Sequence, residues 1–421
     1  MLLALTAYVE VYADEEEYEP IPFEIFEVDA FKIEDFEVFE ADVFESEDVL
    51  PSSSPSTEPS AEKEATSPTS QVEVPVINAA AAIVMDMESG RILYEKNAYR
   101  RMPIASTTKI MTAILAIELG NLEDIVTVSK RASSIGGSVI NLRTGEEIKL
   151  KDLLYGLMLR SGNDAAIAIA EHIGGSVENF VEMMNYKAKL LGARNTNFVT
   201  PHGLDREGHY STAYDLAVIT RYALQNPVFS QIVGTKNIIA GSRNLYNTNE
   251  MLDLYPGADG VKTGYTGQAG RCLVTSATRN GQRYISVVLN CPTRALRAQS
   301  SKKILDYAFS NYKPYTLLNA GEKIARVSII KGIEDMVSVE AVNDIFIPLS
   351  KDEYERIQKK VIIPEYLEAP VYAGITVGEV QFFLDGKLLA HSELKTSADV
   401  YVKDYKYYIK IIIEEWMNMV R

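Results

Sequence analysis

Two cysteines, four histidines and one tryptophan in 421 residues leave little material for a metal cluster or a disulfide framework. His172, His202, His209 and His391 show no ligand spacing, so neither a metal nor a cofactor is assigned. Cys272 and Cys291 flank a hairpin-like stretch whose Asn280-Gly281 turn favours type I′. That register makes them diagonal neighbours, and two packed thiols are expected. No apolar run reaches the roughly 20 residues that a spanning helix needs. Excess basic charge is also missing. The net charge is −16, but residues 1–76 hold 21 Asp/Glu against two Lys, while the remainder holds 37 acids against 40 bases. A near-neutral folded part excludes nucleic-acid binding by a broad basic field.

The length implies two or three domains. Residues 2–9 form a short apolar run before the small-x-small sequence Val11-Tyr12-Ala13, so residues 1–13 read as a remnant of an export signal. Residues 14–50 interleave acids with Phe, Val, Ile and Tyr, and residues 51–71 are rich in Ser, Thr and Pro. Such charge density and composition predict a disordered leader and linker over residues 14–76.

The chain is organised around Ser106-Thr107-Thr108-Lys109, which opens an apolar helical stretch over residues 110–119. Residues three apart on a helix are neighbours, so the Lys109 amine can lie against the Ser106 hydroxyl. A serine needs a base to become a nucleophile, and a desolvated lysine can be one. Spacing alone carries little weight: Ser-x-x-Lys also begins at Ser60, Ser300, Ser310, Ser328 and Ser392. A second element is Ser161-Gly162-Asn163, between apolar helices beginning at Leu150 and Ala165. It can present a hydroxyl and an amide inward, or merely cap a helix. A third is Lys262-Thr263-Gly264 on a strand edge, followed by strands over residues 273–278 and 284–289. It offers a cation, a hydroxyl and a close backbone approach, fit for a peptide carboxylate.

In that order, the three elements resemble those of β-lactamases and penicillin-binding proteins. The chain is similar to a low-molecular-mass penicillin-binding protein, a serine D-alanyl-D-alanine carboxypeptidase of peptidase family S11. Residues 197–205 and Tyr246-Asn247-Thr248-Asn249 support the likeness, which spans residues 77–393. It implies an α+β fold: a β-lactamase/transpeptidase-like catalytic domain over residues 77–313, with an antiparallel sheet flanked by helices plus a helical subdomain. A small all-β domain follows over residues 314–393, where runs at 326–330, 337–342, 344–348, 378–384 and 387–391 read as strands and Asp385-Gly386 as a hairpin turn.

The resemblance also implies roles. Ser106 would be the acylated nucleophile, Lys109 its base and Ser161 the proton relay to the leaving D-alanine. Asn163 would hold the substrate backbone, Lys262 would keep positive potential near Ser161 and Thr263 would bind the terminal carboxylate. The backbone N–H groups of Ser106 and Tyr265, beside Gly264, would form an oxyanion hole, each donor contributing about 3–4 kcal/mol. Tyr265 stands where some carboxypeptidases have histidine. Arg297 is expected either to assist carboxylate binding or to lie on a helix surface. Implied partners are peptidoglycan stem peptides and β-lactam antibiotics. The competing readings are a class A β-lactamase, for which no Glu-x-x-x-Asn follows Asn163 at the expected place, and a non-catalytic cell-wall-binding protein.

Residues 394–421 end the chain with Val402, Tyr405, Ile409, Ile412, Trp416 and Met419 at steps of three and four, and with lysines opposite. This amphipathic pattern predicts a helix lying on a membrane surface. The expected location is outside the cell, on the outer face of the cytoplasmic membrane or in the cell wall.

Overall fold

The computed structural model describes residues 73–420. The expected signal remnant and most of the acidic leader and linker lie outside the described residues.

Five antiparallel strands form the central sheet: β1 (Ala81–Asp86), β2 (Ile92–Lys96), β3 (Ala258–Thr266), β4 (Gly270–Arg279) and β5 (Gln282–Cys291). Their spatial order is β2-β1-β5-β4-β3, which leaves β3 at an edge. β4 and β5 join at Asn280-Gly281, both with positive φ, as a type I′ turn requires. Both sheet faces are covered, so β1 reads as a continuous apolar run rather than an alternation. Its odd residues Ala81, Ile83 and Met85 enter the core beneath the helical subdomain. Its even residues Ala82 and Val84 face a second core built against the C-terminal helix of this domain.

The cysteines are not the diagonal neighbours expected from the hairpin, because the β4–β5 register shifts between Arg271 and Leu273 and Asn290 turns to φ 53°. Cys272 belongs to the first core and Cys291 to the second, on opposite faces of the sheet. Both thiols are free and buried.

The helices are α1 (Lys109–Leu119), α2 (Leu150–Leu159), α3 (Asn163–Gly174), α4 (Val177–Leu190), α5 (Ala213–Gln225) and α6 (Arg294–Asn311). α1 is buried from Lys109 to Ala116. A helix apolar all round has to sit inside the molecule. It carries Lys109 into the interior with it. α4 instead exposes a polar face, with Glu178, Glu182 and Lys189 outward, whereas α5 is exposed only at Gln225; they begin at side-chain caps, Ser176 and Thr212.

The C-terminal module has its own core, including Val327, Val337, Val339 and Ile347. Its main sheet has six strands, and a two-stranded ribbon pairs Lys313–Leu318 with Ile345–Leu349. The Asp385-Gly386 turn joins Thr376–Leu384 to Lys387–Thr396 as the sequence predicts. Three further strands were not expected, among them Gln358–Ile362, which is exposed at every position and lacks any alternation. A short helix, Lys351–Glu355, interrupts the strands and starts with a capping box between Ser350 and Glu353. The same Glu353 carboxylate takes the Arg91 guanidinium of β2's approach at 2.6 Å, and Arg91 also donates to the Pro348 carbonyl. This pair ties the module to the catalytic domain.

The last described helix is α7 (Tyr405–Met419), started by the Asp404 side chain and buried at no position. Among the described residues, no helix is long and apolar enough to cross a membrane.

Candidate active site

Three segments converge at one end of the sheet. The first is a 3-10 turn, Ala105–Thr108, that leads into α1 and carries Ser106. Ala105 adopts φ 48°, a left-handed conformation unusual for a residue with a side chain. Two glycines hold that turn from outside. A Cβ on Gly203 (φ +83°) would come within 2.0 Å of the Ala105 carbonyl oxygen. A Cβ on Gly264 would stand 3.1 Å from Ile104 O, Ala105 Cβ and Ser106 N. Gly264 was expected to admit a ligand to the backbone. The structure shows a further duty, letting β3 pack against the nucleophile turn.

Lys109 is the first residue of α1 and is wholly buried. Its Nζ lies 3.1 Å from Ser106 Oγ, 2.8 Å from Asn163 Oδ1 and 2.7 Å from the His202 carbonyl oxygen. Burial holds its pKa well below the ordinary lysine value, and the nearby Lys262 cation pushes the same way against the Asp164 carboxylate. The Asp164 carboxylate accepts the backbone N–H groups of Ile140 and Leu142 at 3.0 Å, which anchors the loop over α3.

The second segment joins α2 to α3. Ser161 sits there in a left-handed conformation, φ 60°, and is nearly buried. Strained non-glycine backbone of this kind concentrates at functional sites. Asn163 is engaged at both ends of its amide: Oδ1 receives Lys109, and Nδ2 donates to Gly136 O at 2.8 Å.

The third segment is β3. Lys262 is buried, donates to Thr263 O at 2.9 Å, and has its pKa pulled down to about 7 by burial and then by Arg297. Thr263 Oγ1 and Thr248 Oγ1 share a hydrogen bond of 3.0 Å. The Tyr265 ring is exposed. Arg297 is not on the helix surface. It is buried, with Nη2 at 2.5 and 2.7 Å from the two oxygens of Glu250. A buried guanidinium demands such a partner.

Ser106, Ser161, Thr263, Gly264, Tyr265 and Arg297 line one cleft of about 250 Å³. Lys109, Asn163 and Lys262 lie beneath it, bonded to each other or to its wall. Sequence reasoning missed Thr248, Glu250 and the His202 carbonyl. Thr248 and His202 fall within stretches that support the family likeness. A backbone carbonyl, however, leaves no trace in residue type, and Glu250 is one acid among many.

Residues 68–293 match the family model described as D-alanyl-D-alanine carboxypeptidase. The chain belongs to that family. Residues 312–402 match a second model, the C-terminal domain of penicillin-binding protein 5. D-alanyl-D-alanine carboxypeptidase DacF of Bacillus subtilis is 37% identical over 349 residues, covering 80% of this chain and 90% of the relative. DacA of Haemophilus influenzae is 37% identical over 341 residues, with 78% and 87% covered. Among solved structures, penicillin binding protein 5 from Haemophilus influenzae aligns with a TM-score of 0.70 at 35% identity, covering 79% of this chain and all of the other. The family members are serine-type peptidases, and the fold of this chain is theirs.

Proposed function

We propose that this carboxypeptidase removes the terminal D-alanine from peptidoglycan stem pentapeptides through an acyl-enzyme on Ser106. The observation that carries the reading is Lys109. A neutral amine has two N–H groups, which can stay on Asn163 Oδ1 and His202 O while its lone pair turns to the Ser106 hydroxyl. Burial and Lys262 favour that neutral form.

Ser106 Oγ attacks the carbonyl carbon of the penultimate D-alanine as Lys109 takes its proton. The carbonyl oxygen becomes an oxyanion facing the N–H groups of Ser106 and Tyr265. Its collapse breaks the peptide bond, and Ser161 passes a proton to the departing D-alanine nitrogen. Thr263, oriented by Thr248, binds the substrate's terminal carboxylate. Asn163 meets the substrate backbone by exchanging its bond to Gly136. Arg297 acts through charge, paired with Glu250 at the cleft wall. Water then hydrolyses the acyl-enzyme and restores Ser106. A β-lactam enters as a mimic of the same bond and leaves a slow acyl-enzyme.

The uncovered apolar face of α7, with Tyr405, Ile409, Ile412 and Trp416 exposed, supports a membrane-surface site for this helix, on the outer face of the cytoplasmic membrane. Removing the helix, residues 404–421, should release the protein from vesicles and leave the last strand, Lys387–Thr396, intact.

A labelled penicillin tests the chemistry. A long-lived adduct mapped to Ser106, absent from Ser106→Ala, supports the carboxypeptidase together with D-alanine release from a pentapeptide. Rapid turnover of the label would indicate a β-lactamase instead, and no label a binding protein.

A further inference from the structure

The cleft holds more positive charge than this reaction uses. Arg160, Arg271 and Arg294 line it beside Ser106 and Thr263. Arg297 is matched by Glu250, and Arg294 reaches the same carboxylate at 3.6 Å. Among the described residues, neither Arg160 nor Arg271 has a carboxylate within ion-pair distance.

Arg271 is held in a defined pose. It faces Tyr265 across the β3–β4 register, and its guanidinium carbon lies 3.8 Å from the centre of the Tyr265 ring. Stacking uses the flat face of a guanidinium and leaves the N–H groups on its edge free to donate. The pair is therefore a preoriented fork for a carboxylate, standing at the rim of the cleft.

Strand geometry says which part of a peptide would pass it. Thr263 and Tyr265 are two residues apart, about 6.6 Å along an extended strand. In the proposed reaction Thr263 takes the terminal carboxylate, and the Tyr265 N–H faces the oxyanion one residue upstream. Continuing in that direction brings the residue before the D-alanyl-D-alanine pair alongside Tyr265 and Arg271. We infer that Arg271, stacked on Tyr265, selects peptides whose residue preceding D-alanyl-D-alanine carries a side-chain carboxylate. This inference rests on the carboxypeptidase reading above.

The test uses two N-acetylated tripeptides ending in D-alanyl-D-alanine, one with a carboxylate side chain at the preceding residue and the other with its side-chain amide. The wild type should favour the carboxylate peptide about tenfold in kcat/KM, the size of one charge-assisted hydrogen bond, and less at high salt. Arg271→Gln should bring the ratio close to one, and Arg271→Lys should restore part of it. A wild-type ratio near one overturns the inference, as does an Arg271→Gln loss equal on both peptides. Release of D-alanine with no preference defeats the selectivity alone. No release from either peptide overturns the carboxypeptidase reading and takes this inference with it.

Discussion

His209 Nε2 lies 2.8 Å from Thr108 Oγ1, one residue before the buried lysine. Its Nδ1 accepts the Val199 N–H at 3.0 Å, so the neutral ring keeps its proton on Nε2 and donates it to the threonine. Thr108 in turn donates to the Ala105 carbonyl at 2.8 Å, bracing the left-handed residue beside the nucleophile. Burial pushes the His209 pKa down to about 4. The unfolded chain protonates near 6.5 while the folded ring resists, so stability is lost as pH falls from about 6.5 to about 4, by about 3 kcal/mol. Thermal melts at neutral and acid pH should show His209→Gln losing less across that window than the wild type. Parallel losses would refute the assignment.

A second prediction concerns Lys262, whose cation is one cause of the lowered Lys109 pKa. Serine acylation needs neutral Lys109, so the rate should fall as pH drops through that pKa. Lys262 titrates near 7, so its positive charge is present in full only on the acid side of that value. Lys262→Gln should therefore raise the Lys109 pKa and shift the acid limb to higher pH. The pH profile of the penicillin acylation rate measures the shift, and a limb that stays fixed contradicts the coupling.

The Arg91–Glu353 pair at 2.6 Å is largely shielded, with 13% and 17% of the two side chains exposed. Arg91→Ala leaves Glu353 without its cation and should cost about 1–3 kcal/mol. Limited proteolysis should then cut faster near residues 312–313, between the catalytic domain and the module, while acylation of Ser106 keeps its wild-type rate.

Burial lifts the Cys272 thiol to about 11 and the Cys291 thiol to about 12. Neither forms thiolate at pH 8, so iodoacetamide should modify the native protein only as it unfolds. Mass spectrometry with and without denaturant checks this. Rapid native labelling would place a thiol at the surface.

Much of this architecture was legible because local chemistry declares itself. The apolar run after Lys109 could only be an interior helix, and the Asn280-Gly281 and Asp385-Gly386 turns fixed two hairpins. The ordered motifs placed Ser106, Ser161 and Lys262 in one cleft, or directly beneath it. What stayed hidden depends on contacts distant in sequence. Arg297 has the same side chain whether exposed or locked to Glu250, and only the folded chain brings the two together. The His202 carbonyl and the Thr108–His209 bond escape for the same reason. Gln358–Ile362 was missed because an exposed edge strand needs no apolar alternation.

The close seating of Gly203 and Gly264 against the Ala105–Ser106 turn has a bearing on biogenesis. Those glycines arrive from chain segments about a hundred and more residues downstream, so no amino-terminal fragment emerging first can hold the turn in shape. Reactivity towards penicillin should switch on late and all at once during refolding, which makes antibiotic capture a gauge of finished assembly.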